Sequence, residues 1–144
     1  MSHAHTRNYI HVVFSTEQRR RKLLEPIRPE LWAYITGIAR NYGILMVAIG
    51  GTEDHAHMLI SLPAKLSLSH AISAIKANSS RWMNENGHLF CWQQGYEAFS
   101  VSASNLRRVE EYIRDQERHH AKQTFEDEFR ALLMKHGVTA EPAA

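Results

Sequence analysis

The chain has 144 residues, 44% of them apolar and 22% charged, with a formal net charge of +2. That is enough for one hydrophobic core, too ordinary for a disordered chain, and too weakly basic to mark a nucleic-acid binder on charge alone. No apolar run approaches the roughly 20 residues that span a bilayer. The N-terminus has no apolar stretch of the signal-peptide kind. A single cysteine, Cys91, excludes an intrachain disulfide and a Cys-rich zinc site, and a reducing cytoplasm is the expected location.

Tyr9-Ile-His-Val-Val-Phe-Ser15 is a β-branched and aromatic run, the signature of a strand. It puts Ile10, Val12 and Phe14 on one face and Tyr9, His11 and Val13 on the other. A polar loop carrying Arg19-Arg20-Arg21-Lys22 follows, and Pro29 suits the first turn of a helix over Glu30–Asn41. Leu31, Tyr34, Ile35 and Ile38 recur there at helical spacing, and Gly43 fits a C-terminal cap. Ile44 to Gly50 and His55 to Leu62 read as two strands of a hairpin, with Gly50-Gly51 marking a turn or bulge. Ser67 or Ser69 caps a helix to about Asn84, with Leu68, Ile72, Ile75 and Ser79 as its inward stripe. Tyr96 to Val101 is the fourth strand. Ser104 or Asn105 caps a single helix to about His120, and a last amphipathic helix runs from about Phe125 to Lys135 with Phe129, Leu132 and Leu133 apolar. Residues 1–8 and 138–144 read as loose ends.

The order β-α-β-β-α-β followed by two helices predicts an α+β, ferredoxin-like antiparallel sheet with additional C-terminal helices. Residues 1–144 form a single expected domain, with a core over about 9–120 and a C-terminal helix at about 124–136. In that topology the first and third strands are neighbours, which brings His11 toward His55 or His57.

Two spacings point to chemistry. His55-Ala56-His57 presents two imidazoles on one face of a strand, because side chains alternate. Tyr112 and Gln116, four apart, share one face of a helix. The apolar stripe of that helix, Leu106, Val109 and Ile113, lies elsewhere, since Tyr112 is turned from Ile113 by about 100°. A phenol with three neutral ligands is the equipment for attack on a phosphodiester beside a divalent ion. Neutral ligands leave Mg²⁺ or Mn²⁺ most of its charge and several open positions. Two histidines plus Gln116 suit zinc poorly unless His11 or Asp54 joins them. The same His-x-His spacing occurs at His3-Ala4-His5, in a tail with no rigid element to present it. Candidate phosphate contacts are Arg19, Arg20, Arg21, Lys22, Lys76, Arg81, Arg107 and Arg108.

On these residues the chain resembles the single-tyrosine HUH transposases, small enzymes of bacterial insertion sequences that move as single-stranded DNA, with their REP-associated relatives. The resemblance runs from Tyr9-Ile-His-Val-Val-Phe14 through Asp54-His-Ala-His-Met-Leu-Ile60 and Trp92-Gln-Gln-Gly-Tyr-Glu-Ala-Phe-Ser-Val-Ser102 to Tyr112-Ile-Arg-Asp-Gln116 and His119-His120. It implies a divalent metal on His55, His57 and Gln116, and Tyr112 as the nucleophile that forms a 5′-phosphotyrosine and releases a 3′-OH. It further implies DNA hairpins at element ends as partners and a homodimer in which the tyrosine helix can serve the other subunit. Ala56 is smaller than the family's usual apolar residue between the histidines. Gln at position 116, where a second tyrosine would stand, argues against two-tyrosine initiators. The expected function is a metal-dependent transposase that cuts and rejoins single-stranded DNA. Two alternatives stay open: a catalytically silent or domesticated hairpin-binding protein, and a hydrolase that activates water on the same histidines.

Overall fold

The first strand, β1 (Tyr9–Ser15), runs through the middle of the molecule with its five inner residues buried. The structure is a computed structural model that describes residues 5–120 and 123–138. The elements that follow are α1 (Arg28–Asn41), β2 (Leu45–Gly51), β3 (His55–Ser61), α2 (Leu68–Glu85), β4 (Glu97–Ser100), α3 (Leu106–Arg114), α4 (Gln116–His120) and α5 (Phe125–Lys135). The strands form one sheet in the order β2-β3-β1-β4, every pair antiparallel. This is the expected ferredoxin-like α+β arrangement, with β1 and β3 as central neighbours.

The two faces of the sheet do different jobs. Ile10, Val12 and Phe14 of β1 and Ala56, Met58 and Ile60 of β3 pack against Leu31, Ile35 and Ile38 of α1 and Ile72, Ile75 and Met83 of α2. This is the main core, and each fully buried aliphatic side chain in it contributes roughly 1.5–3 kcal/mol. The opposite face carries a smaller cluster of Ala48, Leu59 and Ile113, flanked by Val109 and Tyr112. With helices on both sides, all seven residues of β3 are buried, so its histidines do not lie on a solvated sheet face.

Local chemistry explains most element boundaries. Pro29 lies in the first turn of α1, and Gly43, at φ +73°, follows its end. The Ser67 hydroxyl accepts from the His70 N–H at 3.2 Å and caps α2, and Thr124 caps α5 through the Asp127 N–H at 3.2 Å. Glu126, Asp127 and Glu128 occupy the first turn of α5, where the helix dipole favours anions. The Gly pair is neither turn nor bulge. Both glycines lie in β2, the register shifts between Met46 and Ala48, and the hairpin turns over residues 52–54. A Cβ on Gly50 would lie 2.4 Å from the Ile113 carbonyl oxygen, so this glycine lets α3 settle onto the sheet.

The single helix expected up to His120 is broken. α3 stops at Arg114, Asp115 leaves helical geometry at φ −97° and ψ 19°, and α4 begins at Gln116. α4 opens with the buried Gln116, and α3 keeps Ile113 in the cluster. The first four residues and 139–144 lie outside the described residues, as do most of the His3-Ala4-His5 tail and the side chain of His119.

Candidate active site

His55 and His57 project from β3 onto the side of the sheet covered by α3, α4 and α5, and both are fully buried. Each imidazole is held from behind. Asp54 Oδ1 lies 2.8 Å from His55 Nδ1, with the Thr52 hydroxyl at 3.1 Å from the same nitrogen. His11, on the neighbouring strand, places its Nε2 2.9 Å from His57 Nδ1. A carboxylate or second imidazole on one ring nitrogen sets the tautomer and aims the other nitrogen, a recurring support for metal-binding histidine. The expected approach of His11 to the pair is met by its contact with His57.

The free edges of the rings meet Glu128 of α5, which is not among the site residues expected from the sequence. Glu128 Oε1 lies 3.0 Å from His57 Nε2, 3.4 Å from His55 Nε2 and 3.1 Å from His120 Nε2. Its other oxygen accepts from the Tyr112 hydroxyl and from Gln116 Nε2, the latter at 3.0 Å. Gln116 Oε1 faces His55 Nε2 at 3.1 Å. Thus Tyr112, His55, His57 and Gln116, each named from sequence, converge on one carboxylate within one chain. A signal for Glu128 existed: position 128 falls in the stripe formed by Phe125, Phe129, Leu132 and Leu133 at spacings of three and one. A charge on the buried side of a helix needs a partner.

Burial and charge set the protonation states. Burial alone would lower the His55 pKa, but its hydrogen bonds to Asp54 and Glu128 prevail and push it up to about 9. Burial lowers His57 to about 4 and His11 to about 3, with Glu128 only partly offsetting it in each case. Glu128 goes the other way. Burial opposes its charge, yet hydrogen bonds from His120, His55 and His57 hold it far below the usual carboxylate range. Tyr112 is raised well above an ordinary phenol by burial and by the Glu128 carboxylate.

The donor set fits a metal ion. One ligand atom each from His55, His57 and Glu128 lies within 4.8 Å of the others, and all three residues are buried. The set supplies two imidazole nitrogens and an anionic oxygen, which suits Mn²⁺ and Mg²⁺ better than three neutral groups do.

The cationic candidates divide. Arg19 pairs with Glu126 at 3.0 Å and lies over the Phe125 ring. Arg20 donates to the Gln18 side chain at 2.9 Å, Arg21 stands 3.9 Å from Glu53, and Lys22 is exposed. Lys76 donates to the Gln93 and Gly95 carbonyls, Arg81 to Asn78, and Arg107 pairs with Glu111 at 3.4 Å. Arg108 is exposed beside Tyr112 on the face of α3 that looks toward α5. Among the described residues no helix is long and apolar enough to cross a membrane.

The sequence model of the IS200-like transposases matches residues 4–116. The chain belongs to this family. It is 28% identical over 124 residues to the transposase for insertion sequence element IS200 of Salmonella typhimurium strain LT2, covering 78% of this chain and 80% of that one. The Salmonella typhi IS200 transposase matches to the same extent. Two solved structures share the fold. One is a candidate transposase from Deinococcus radiodurans, with a TM-score of 0.64 at 20% identity, covering 81% of this chain and 96% of that chain. The other is a REP-associated tyrosine transposase bound to a REP hairpin, with a TM-score of 0.60 at 18% identity, covering 80% and 72%. The family match stops at Gln116, so Glu128 and the rest of α5 come from a segment beyond it.

Proposed function

We propose that this IS200-like family member is a metal-dependent single-stranded DNA transposase, cutting and rejoining DNA at hairpins through a 5′-phosphotyrosine on Tyr112. One observation carries the reading: the Tyr112 hydroxyl and the His55 and His57 imidazoles meet on the same Glu128 carboxylate. Family membership supports DNA as the substrate, and a structure of the same fold is described as bound to a REP hairpin.

Magnesium or manganese held by His55, His57 and Gln116, with Glu128 as a further donor, would supply positive charge that polarises the attacked phosphate and steadies the departing oxygen. The two oxygens of Glu128 serve different partners. Oε1 faces the imidazoles, and Oε2 faces Tyr112 and Gln116. In the attack the Tyr112 O–H bond breaks and its proton passes to water, with Glu128 Oε2 orienting the hydroxyl. The phenolic oxygen bonds to phosphorus, the bond from phosphorus to the 3′ oxygen breaks, and that oxygen takes a proton from water. Rejoining runs in reverse: an incoming 3′-OH gives its proton to water and bonds to phosphorus, the bond from phosphorus to the Tyr112 oxygen breaks, and that oxygen takes a proton from water. One chain brings Tyr112 to its own histidines through Glu128, which supports a nucleophile acting in cis. Of the cations expected to meet phosphate, Lys22 and Arg108 are exposed and form no ion pair among the described residues, which supports such a role.

The test is incubation with labelled single-stranded hairpin DNA and Mn²⁺, then denaturing electrophoresis and peptide mapping. An adduct on the Tyr112 peptide is expected, absent from Tyr112→Phe, which still binds the hairpin. An adduct that persists in Tyr112→Phe overturns the assignment. Cleavage without any adduct turns the reading to hydrolysis by an activated water.

A further inference from the structure

A cavity of about 330 Å³ opens between α3, α5 and the end of β4, with His11, Tyr112 and Glu128 on its floor. Its sides are apolar: Val101 after β4, Val109 from α3, and Leu132 from α5. Arg108 and Lys135 stand at its rim on opposite helices. Both are exposed, and among the described residues neither forms an ion pair. Neighbouring arginines differ: Arg107 is engaged by Glu111 and Arg114 by Glu110.

The combination is selective. Two exposed cations at the mouth ask for an anion, and apolar walls ask for a weakly polar body. The volume sits at the small end of ligand pockets. Glu128 on the floor disfavours a free anion as the sole occupant, because like charges there repel unless a cation offsets them. An unpaired nucleotide meets each demand, with its base between the apolar walls, the attacked phosphate toward Tyr112 and the flanking phosphates at the rim.

We propose that this cavity is a nucleotide pocket: it takes the base of one unpaired nucleotide adjoining the attacked phosphate, between Val109 and Leu132, while Arg108 and Lys135 hold the flanking phosphates. The inference rests on the strand-transfer reading above and adds to it the means by which the phosphate is set over Tyr112. Six of the fourteen residues lining the pocket, four of them on α5, lie beyond the segment that matches the family. Arg108 and Lys135 are positioning residues, since they hold flanking phosphates and do not touch the reacting atoms.

The experiment uses the full chain and a set of hairpin oligonucleotides with one abasic site moved through the positions around the cut. Adduct formation on the intact oligonucleotide tests the strand-transfer reading by itself. Given an adduct, loss of one base beside the cut is expected to slow its formation about tenfold, as removal of a well-packed apolar group does. Ala131→Trp, which fills the cavity from an exposed position on α5, is expected to slow the intact substrate similarly. The two losses should not add when combined, because both empty the same contact. Independently, Arg108→Gln with Lys135→Gln, made in the Tyr112→Phe background, should lower the slope of log affinity against log salt by about 1.4, the value for two single-strand phosphate contacts. A flat abasic scan in a protein that forms the adduct overturns the pocket and spares the strand-transfer reading. So does an unchanged salt slope.

Discussion

With metal removed by a chelator, the stability of this protein should fall as pH rises from 6.5 toward 9, and His55 should set the slope. The sign follows from its raised pKa. Unfolded, the imidazole releases its proton near 6.5; folded, between Asp54 and Glu128, it holds the proton to about 9. The stabilisation is therefore complete below pH 6.5 and gone once pH has passed about 9. The interval between 6.5 and about 9 corresponds to roughly 3 kcal/mol at 1.36 kcal/mol per pH unit. For a chain of this size that is a fall in Tm of about 10 °C. On the acid side His57 and His11, held neutral at pKa values of about 4 and about 3, work against the fold as pH drops below 6.5. Below the ordinary carboxylate range the Glu128 contribution is lost too, since its pKa is depressed. Metal-free stability should thus peak near pH 6.5. The assay is thermal melting by circular dichroism in chelator from pH 5.5 to 10, for wild type, His55→Gln and Asp54→Asn. His55→Gln should melt lower at pH 6.5 and lose most of the alkaline slope, and Asp54→Asn should keep part of it. A His55→Gln protein with the wild-type slope would refute the argument. With Mn²⁺ present the same proton must leave before His55 can ligate, so Mn²⁺ affinity by calorimetry should rise about tenfold per pH unit between 6.5 and 9.

Other consequences are as open to measurement. Glu128→Ala strands the Tyr112 hydroxyl, Gln116 and three imidazoles, and should destabilise the metal-free protein by about 3–5 kcal/mol, read by urea denaturation. His57→Ala should remove most Mn²⁺ binding in calorimetry while leaving hairpin binding in chelator near wild type. Gly50→Ala should cost about 1–3 kcal/mol, because its Cβ meets the Ile113 carbonyl at 2.4 Å. The displaced α3 should also slow adduct formation by about 100-fold through misplacement of Tyr112.

Local pattern carried much of this protein. Alternation in Tyr9–Ser15 and His55–Ser61 showed which side chains face the core, and put His55 and His57 together on the other side. Strand order followed from the succession of elements, and with it the approach of His11 to His57. Tyr112 stood out because it lay off the apolar stripe of its helix. These inferences succeed because periods of 2.0 and 3.6 are properties of a few consecutive residues. What only the tertiary structure decided depends on residues far apart in the chain. Glu128 reads as one more acid at the start of an amphipathic helix until α5 folds over the sheet and drives its carboxylate among three imidazoles 71, 73 and 8 residues away. The break at Asp115 is likewise invisible to periodicity. It separates α3, which holds Ile113 on the sheet at Gly50, from α4, whose Gln116 faces His55.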